Sequence, residues 1–142
     1  MSGFSWPARV YWEDTDGGGI VYYANYLRFL ERARTEWLRQ QGYSQQRLAR
    51  EEGILFTVVS LEIEYRAPAR LDDELEVSCE PRPQGQASLR FAQASIGAPR
   101  ERSASCSPRR TCVWRASMRA RCVRGACRRS CWRCGAWRFL RA

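Results

Sequence analysis

Two aspartates and three glycines stand together near the start of the chain. Asp14 and Asp16 are followed by glycines at positions 17–19 and then by an aromatic stretch that leads into a helical pattern. A carboxylate can act as a general base near neutral pH, and the N–H groups at the start of a helix favour developing negative charge. A base beside an oxyanion site is the minimum equipment for acyl transfer, which is the chemistry that this stretch predicts.

The composition removes most other kinds of catalytic site. All 24 basic residues among the 142 are arginines, so the chain has neither Lys nor His. Without His there is no Ser-His-Asp or Cys-His site and no zinc site built on His. Without Lys there is no Walker-type phosphate loop and no Schiff-base lysine. Asp and Glu remain as general bases, and we expect the chemistry to need no metal or redox cofactor.

Charge is distributed very unevenly along the chain. Residues 1–97 contain 11 Arg and 14 acidic residues, a net charge of −3, whereas residues 98–142 contain 13 Arg and one acidic residue, a net charge of +12. The length fits one domain, which we place at residues 1–94, followed by an Arg- and Cys-rich tail at residues 95–142. No signal peptide and no apolar run of the roughly 20 residues that span a bilayer are visible, so we expect a cytoplasmic protein.

One long helix is predicted directly after the aromatic stretch. Asn25 is placed as its N-cap, and the helix runs to about Gln41 and ends at Gly42. A second, short helix capped by Ser44 follows. The apolar positions of the long helix recur at helical spacing and form its predicted buried face: Tyr26, Leu27, Leu30, Ala33, Trp37 and Leu38.

Alternating residues predict four strands around this helix. They cover residues 8–13, 56–65, 74–80 and 87–93, with Gly85 in the turn between the last two. One strand, a long helix and then an antiparallel meander give an α+β fold with the helix packed on one face of the sheet.

The same residues resemble a known family. Residues 11–16 (YWEDTD) and 19–37 (GIVYYANYLRFLERARTEW) resemble the signature of hotdog-fold acyl-CoA thioesterases, and residues 60–65, 68–73 and 88–91 continue the match in order. The resemblance covers residues 8–93. It is closest to the 4-hydroxybenzoyl-CoA thioesterase group and its branch associated with the Tol–Pal genes.

The resemblance implies a long helix wrapped by a curved antiparallel sheet, a homodimer or homotetramer, and a thioester-cleaving site at the subunit interface. It assigns catalysis to Asp16, which attacks the thioester carbon or activates a water, and to the backbone N–H at about Tyr23, which polarises the carbonyl. Its branch usually has His where Tyr23 stands, so the acyl preference stays open. The substrate-binding residues are then Gly19, Tyr22, Asn25 and Tyr26.

Each of these residues also has a purely structural reading. Asp16 could stabilise the turn by accepting hydrogen bonds from local N–H groups, and Asp14 is expected to be structural. Tyr22, Tyr23 and Tyr26 could line an acyl pocket or pack the entry to the helix. Glu31 is a minor candidate, because other hotdog enzymes carry their carboxylate on the long helix.

The tail does not continue the pattern of the domain. Six of the seven cysteines and three of the six tryptophans lie beyond residue 97, whereas ordinary disordered tails avoid both residue types. We find no sustained period of 2 or 3.6 there. In the neighbouring reading frame, residues 111–135 can encode a run that resembles the last strand and final helix of the family. We therefore interpret the tail as an out-of-frame translation that begins between about residues 95 and 105.

This interpretation predicts a disordered tail and a sheet that lacks its last strand. Such a sheet would expose an unpaired edge and apolar surface, so this exact chain would be poorly folded or inactive. Two alternatives to thioester hydrolysis remain. One is a nucleic-acid-binding protein that uses the Arg-rich tail, which we rank low, and the other is a non-catalytic acyl-binding hotdog domain.

Overall fold

A fifteen-residue helix lies against an antiparallel sheet in the computed structural model, which describes residues 3–84, 88–97 and 112–124. The sheet has five strands within these residues, in the order β1-β3-β4-β5-β2, and every neighbouring pair is antiparallel. The strands are β1 (Phe4–Arg9), β2 (Ile54–Tyr65), β3 (Glu74–Gln84), β4 (Ser88–Gly97) and β5 (Cys112–Arg124). The α+β prediction is confirmed.

The helix α1 covers Tyr26–Gln40 and buries one face on the sheet. Its predicted start and end are confirmed, and Gly42 follows with a left-handed φ of 84° that suits a residue without Cβ. The predicted face was wrong at one position: Leu27 is exposed, and Phe29 is fully buried instead. Around the helix axis Leu27 lies about 100° from Tyr26 and Phe29 about 60° from it on the opposite side, so the buried face at this end of α1 extends toward Phe29.

Short helical turns connect the main elements. Residues Trp12–Asp14 and Tyr23–Asn25 form 3-10 turns, and α2 (Gln45–Arg47) continues into a π-helical turn, Leu48–Glu52. The predicted Ser44 cap is confirmed, because its Oγ accepts a hydrogen bond from the Arg47 N–H at 3.1 Å.

The strands occur where they were predicted, but their boundaries differ. The strand expected at residues 8–13 lies at Phe4–Arg9 instead, because the chain turns at Trp12–Asp14. β3 and β4 are longer than predicted, and the turn that was placed at Gly85 lies outside the described residues.

The fifth strand corrects the prediction of a sheet without its last strand. β5 pairs with β4 on one side and with β2 on the other, with Met118 opposite both Phe91 and Leu61. Ala116 and Met118 are buried and Arg115 is exposed. The sequence alternates in the same way over residues 112–124, a period of 2 that the unusual composition concealed. The predicted disorder of residues 98–111 and 125–142 concerns residues that the structure does not describe.

The core lies between α1 and the inner face of the sheet. Phe29, Leu30, Leu75, Val77 and Leu89 are among its largest fully buried side chains. Within the described part of the chain, no helix is long and apolar enough to cross a membrane. The same residues contain no cluster of three His, Cys, Asp or Glu side chains that could hold a metal ion.

Removing the buried Met118 side chain tests whether β5 belongs to the core. Met118→Ala is expected to lower the free energy of unfolding by about 2–5 kcal/mol, because it leaves a cavity between the sheet and the helix. Arg115→Ala, at an exposed position of the same strand, should change it by less than about 0.5 kcal/mol. Urea denaturation followed by circular dichroism measures both. Equal stability of the two variants would place β5 outside the cooperative fold.

Candidate active site

The aspartate–glycine stretch forms a tight hairpin between β1 and α1. Asp16 and Ile20 face each other through a hydrogen bond from the Asp16 N–H to the Ile20 carbonyl at 2.9 Å. Two residues further out, the Tyr22 N–H donates to the Asp14 carbonyl, also at 2.9 Å, and Thr15 and Val21 form the bridge between these pairs. The hairpin therefore holds Asp16 at the last paired position before the turn.

Of the three glycines in the turn, Gly19 alone has a left-handed backbone. Its φ is 72°, and its N–H donates to the Asp16 carbonyl at 3.0 Å, which closes the turn. A turn that ends in a left-handed residue is a common hairpin geometry, and glycine adopts it without strain. Gly18 has a different constraint, because a Cβ there would lie 3.1 Å from Asp16 Oδ1, whereas a Cβ on Gly17 would meet nothing within 4 Å.

The Asp16 carboxylate is exposed and only half engaged. Its Oδ1 accepts a hydrogen bond from the Gly18 N–H at 2.8 Å. Among the described residues, no group donates to its other oxygen. The turn-stabilising role and a chemical role can thus coexist in Asp16, since one oxygen orients the side chain and the other is available to a reactant.

Asp14 is buried and structural, as expected. Its side chain is 1% exposed, and its Oδ2 accepts a hydrogen bond from the Tyr11 N–H at 2.9 Å. Its carbonyl accepts from the Tyr22 N–H and from Asn25 Nδ2, the latter at 3.0 Å. Asp14 therefore joins the segment before the hairpin, the returning strand of the hairpin and the entry to α1.

Asn25 directly precedes α1, but it does not cap the helix with its side chain. No helical N–H donates to its side-chain oxygen, and its backbone is already helical, with φ −70° and ψ −20°. Its Nδ2 donates instead to the Asp14 carbonyl. The prediction of a side-chain cap was therefore wrong, because the tertiary contact with the hairpin takes the amide.

Tyr23 is the first residue of the 3-10 turn that leads into α1. The N–H groups of a first helical turn have no partner within the helix, while those of the neighbouring Tyr22 and Asn25 are bonded elsewhere. The N–H predicted to polarise a carbonyl thus stands at a helix start on the same hairpin as Asp16.

The three tyrosines at the helix entry have different surroundings. Tyr22 and Tyr23 are 43% and 61% exposed, whereas Tyr26 is buried and its hydroxyl accepts a hydrogen bond from the Ala69 N–H at 3.0 Å. Tyr26 therefore packs the helix entry, and Tyr22 and Tyr23 present rings to the surface beside the hairpin. A hydrogen bond with Tyr23 raises the pKa of Tyr22, and burial raises the pKa of Tyr26, so both hydroxyls stay protonated at neutral pH.

One residue beside the site was not found from the sequence. Tyr65, at the end of β2, donates from its hydroxyl to the Tyr23 carbonyl at 2.9 Å, and its ring packs edge-on against Tyr23. Tyr65 lies more than 40 positions along the chain from Tyr23, so no local pattern indicated it.

Arg66 and Arg70 are the two arginines that the sequence offers for contacts with CoA phosphates. Arg70 is exposed, and its backbone forms a bridge with Ile20 beside the glycine turn. Arg66 forms an ion pair with Glu64 at 2.9 Å.

The chain is similar to known thioesterases in sequence and in structure. The model of the Thioesterase superfamily matches residues 18–94. The acyl-CoA thioester hydrolase YbgC of Escherichia coli O6:H1 is 52% identical over 95 residues, which are 67% of this chain and 70% of the relative.

Two solved structures share the fold. A probable thioesterase from Bartonella henselae superposes with a TM-score of 0.70 at 29% identity, covering 87% of this chain and 93% of its own. The 4-hydroxybenzoyl-CoA thioesterase from Pseudomonas sp. strain CBS-3 superposes with a TM-score of 0.76 at 21% identity, covering 89% of this chain and 88% of its own. The expected hotdog fold is confirmed.

Alanine substitutions at Gly17 and Gly19 should have opposite effects on stability. Gly19→Ala is expected to destabilise by about 1–2 kcal/mol, because an L-residue is strained at its positive φ. Gly17→Ala is the matched control, and it should stabilise by roughly 0.4–1 kcal/mol, since its Cβ meets open space and it restricts the unfolded chain. Thermal denaturation of both variants measures the difference. A Gly19→Ala protein as stable as Gly17→Ala would contradict the left-handed turn.

Proposed function

The chain belongs to the Thioesterase superfamily, and on that premise we propose that it hydrolyses acyl-CoA thioesters with Asp16 as the reacting carboxylate. The observation that carries the assignment is the half-engaged Asp16 side chain, oriented by the Gly18 N–H at 2.8 Å and open to a reactant at its other oxygen. The E. coli relative, at 52% identity, is an acyl-CoA thioester hydrolase, which supports the same reaction here.

Asp16 acts in one of two ways. Its free oxygen attacks the thioester carbon and forms a mixed anhydride that water then hydrolyses, or it takes a proton from a water that attacks the carbon. Either route releases CoA and the free acid. The hydrogen bond from the Gly18 N–H fixes the orientation of the carboxylate. Less conformational entropy is therefore lost when the carboxylate reaches the reactive geometry.

The Tyr23 N–H is the proposed oxyanion donor. Charge develops on the thioester oxygen as the carbon is attacked, and a fixed N–H with no partner in its own helix can stabilise it. Asp16 lies two residues along the hairpin from the Asp14–Tyr22 pair, a distance of roughly 7 Å in extended backbone. That spacing leaves room for a thioester group between the carboxylate and the helix entry.

The surroundings of these two groups suggest how the substrate is held. Gly19 allows close approach of the thioester to the backbone, and the exposed rings of Tyr22 and Tyr23 offer apolar surface to the acyl group. Tyr26 and Asn25 support the helix entry from behind through their bonds to Ala69 and Asp14.

Phosphate contacts to CoA fit Arg70 better than Arg66. Arg70 is exposed on the segment that pairs with Ile20 beside the turn, whereas Arg66 is paired with Glu64. A guanidinium at this edge of the hairpin offers a planar pair of N–H donors to phosphate oxygens.

A second copy of the chain is the proposed neighbour of this site. β2 is an edge strand of twelve residues with exposed apolar side chains at Leu55, Val58 and Leu61. The opposite edge, β1, has six residues and contains Pro7, which lacks an N–H and blunts an edge. Leu55 lies on the opposite face of β2 from Val58 and Leu61. Pairing of two β2 edges would bury apolar surface on both faces and place Tyr65, which contacts Tyr23, at the subunit boundary.

The division of the chain remains a proposal as well. The family model ends at residue 94, where the composition changes and where the tail was predicted to begin. The out-of-frame origin of residues 95–142 is compatible with β5, since the segment at 112–124 alternates by itself and can occupy the place of a last strand.

Asp16→Asn is expected to lower turnover of short-chain and aromatic acyl-CoAs by roughly 10²- to 10⁴-fold, because the amide is neither base nor nucleophile. The fold should be preserved, since the amide oxygen can still accept the Gly18 N–H. Glu31→Gln, which removes the competing carboxylate candidate on α1, should stay within about twofold of the parent. Release of free CoA thiol measures turnover, and the melting temperature checks folding. Near-normal turnover of Asp16→Asn would refute the assignment.

Val58→Glu is expected to convert an oligomer to monomers, because it places a charge among the exposed apolar side chains of the β2 edge. Ser5→Glu, at an exposed position of the opposite edge strand, is the control and should leave the oligomer intact. Sedimentation velocity measures the mass, and turnover should fall together with the mass if the site needs the partner. A parent protein that sediments as a monomer at micromolar concentration would exclude this interface.

A further inference from the structure

A small pocket lies away from the Asp16 hairpin. It has a volume of about 150 Å³ and is enclosed by the C-terminal half of α1, the edge strand β2 and the neighbouring strands. Its walls are mostly apolar: Trp37, Leu38, Phe56, Leu89, Phe91 and Met118. An apolar cavity of this size in another protein takes up benzene, so the walls alone suit a single ring or a short branched chain.

One cationic side chain, that of Arg34, lines this pocket. Its Nη1 donates to Gln93 Oε1 at 2.9 Å. A guanidinium has five N–H donors, and within the residues that the structure describes this is its one hydrogen bond to protein. Those residues place no carboxylate within ion-pair distance of it. A half-buried positive charge with unused donors and no direct ion pair favours an anion beside it.

Arg34 is held in place from behind. Gln93 is buried, and its Nε2 donates to the Leu30 carbonyl at 3.2 Å and toward the Ser78 carbonyl at 3.5 Å. These bonds fix the amide, whose oxygen then fixes the guanidinium. Burial lowers the pKa of Arg34, yet an arginine remains charged in proteins. The charge is therefore both permanent and pre-oriented.

The rim of the pocket is polar and already satisfied. The Thr35 hydroxyl donates to Glu31 Oε1 at 2.6 Å, and Gln45 Nε2 donates to the Thr35 hydroxyl at 2.7 Å. Glu31 is exposed and lies one helical turn from Arg34. Its carboxylate accepts the Thr35 hydrogen bond and acts on Arg34 only at a distance, since it forms no ion pair with the guanidinium.

We propose that this pocket binds a small monocarboxylate with an apolar body, the ring or short chain against Trp37 and Phe91, whose rings contact each other edge-on, and the carboxylate on Arg34. The apolar walls bury the body of the ligand, and the guanidinium supplies a charge-assisted hydrogen bond to its carboxylate. The chemistry selects acids over neutral compounds of the same shape. The proposed thioester hydrolysis releases free acids, so such a site would also retain the product. Only this retention of product rests on the proposed function.

Binding can be observed at a single residue. The chain contains two methionines, Met1 and Met118, and Met118 lines the pocket. Protein labelled with ¹³C at the methionine methyl groups should give two signals, and titration with benzoate should shift the Met118 signal saturably through the ring current while leaving Met1 unchanged. Benzyl alcohol, which has the same ring but no charge, should bind at least roughly tenfold more weakly, since the charged hydrogen bond is lost.

Two matched variants test how much the charge of Arg34 contributes to benzoate binding, apart from the apolar walls of the pocket. Arg34→Gln should weaken benzoate binding by roughly ten- to hundredfold and abolish the preference over benzyl alcohol. Arg28→Gln removes an exposed arginine from the same helix and should bind benzoate like the parent. Should Arg34→Gln fail to fold, the comparison of benzoate with benzyl alcohol on the unaltered protein still decides the question.

Two results would overturn the proposal. One is a Met118 signal that benzoate does not shift at millimolar concentration, and the other is equal affinity for benzoate and benzyl alcohol. Neither measurement involves turnover, so either failure leaves the assignment of Asp16 untouched. Conversely, normal turnover of the Asp16→Asn protein would refute the role of Asp16 and would not affect the proposal that benzoate binds at Arg34.

Discussion

The buried carboxylate and carbonyl of Asp14 hold together the segments that carry the proposed active site. Its side chain accepts from the Tyr11 N–H, and its carbonyl accepts from the Tyr22 N–H and the Asn25 amide. The approach from β1, the hairpin and the helix entry are therefore positioned by one residue. Since Asp16 and Tyr23 lie on this framework, the direction of the carboxylate relative to the helix start depends on Asp14 rather than on contacts with substrate.

The proposed site needs exposed side chains and the core needs buried ones, at neighbouring positions of the chain. Asp16, Tyr22 and Tyr23 are exposed, whereas Asp14 and Tyr26, two and three positions away from them, are buried. A tight turn and a 3-10 entry allow this alternation, because each changes the direction of the chain within a few residues. The side chains of the proposed site can thus stand on a rigid support without being enclosed in the protomer, which suits the proposal that a second chain completes the site.

A comparable arrangement places Arg34 just past the middle of α1. Its guanidinium lines an apolar pocket and is fixed by Gln93, which is itself bonded to the helix and to β3. The strand that supplies Met118 to the same pocket comes from a segment whose composition is unlike that of any ordinary strand. Alternation of side chains, rather than composition, is what a sheet requires of a strand.

The sequence by itself determined the long helix, the α+β class and the Asp16 turn, because these depend on local periodicity, on glycine and on a long gapless motif. The tertiary structure decided what those patterns leave open. It decided that Asn25 binds Asp14 instead of capping α1, that Phe29 rather than Leu27 enters the core, and that Tyr65 supports Tyr23. It also decided that residues 112–124 enter the sheet. Each of these depends on a partner distant in the chain, and the free energy of such a contact is absent from any local stretch of residues.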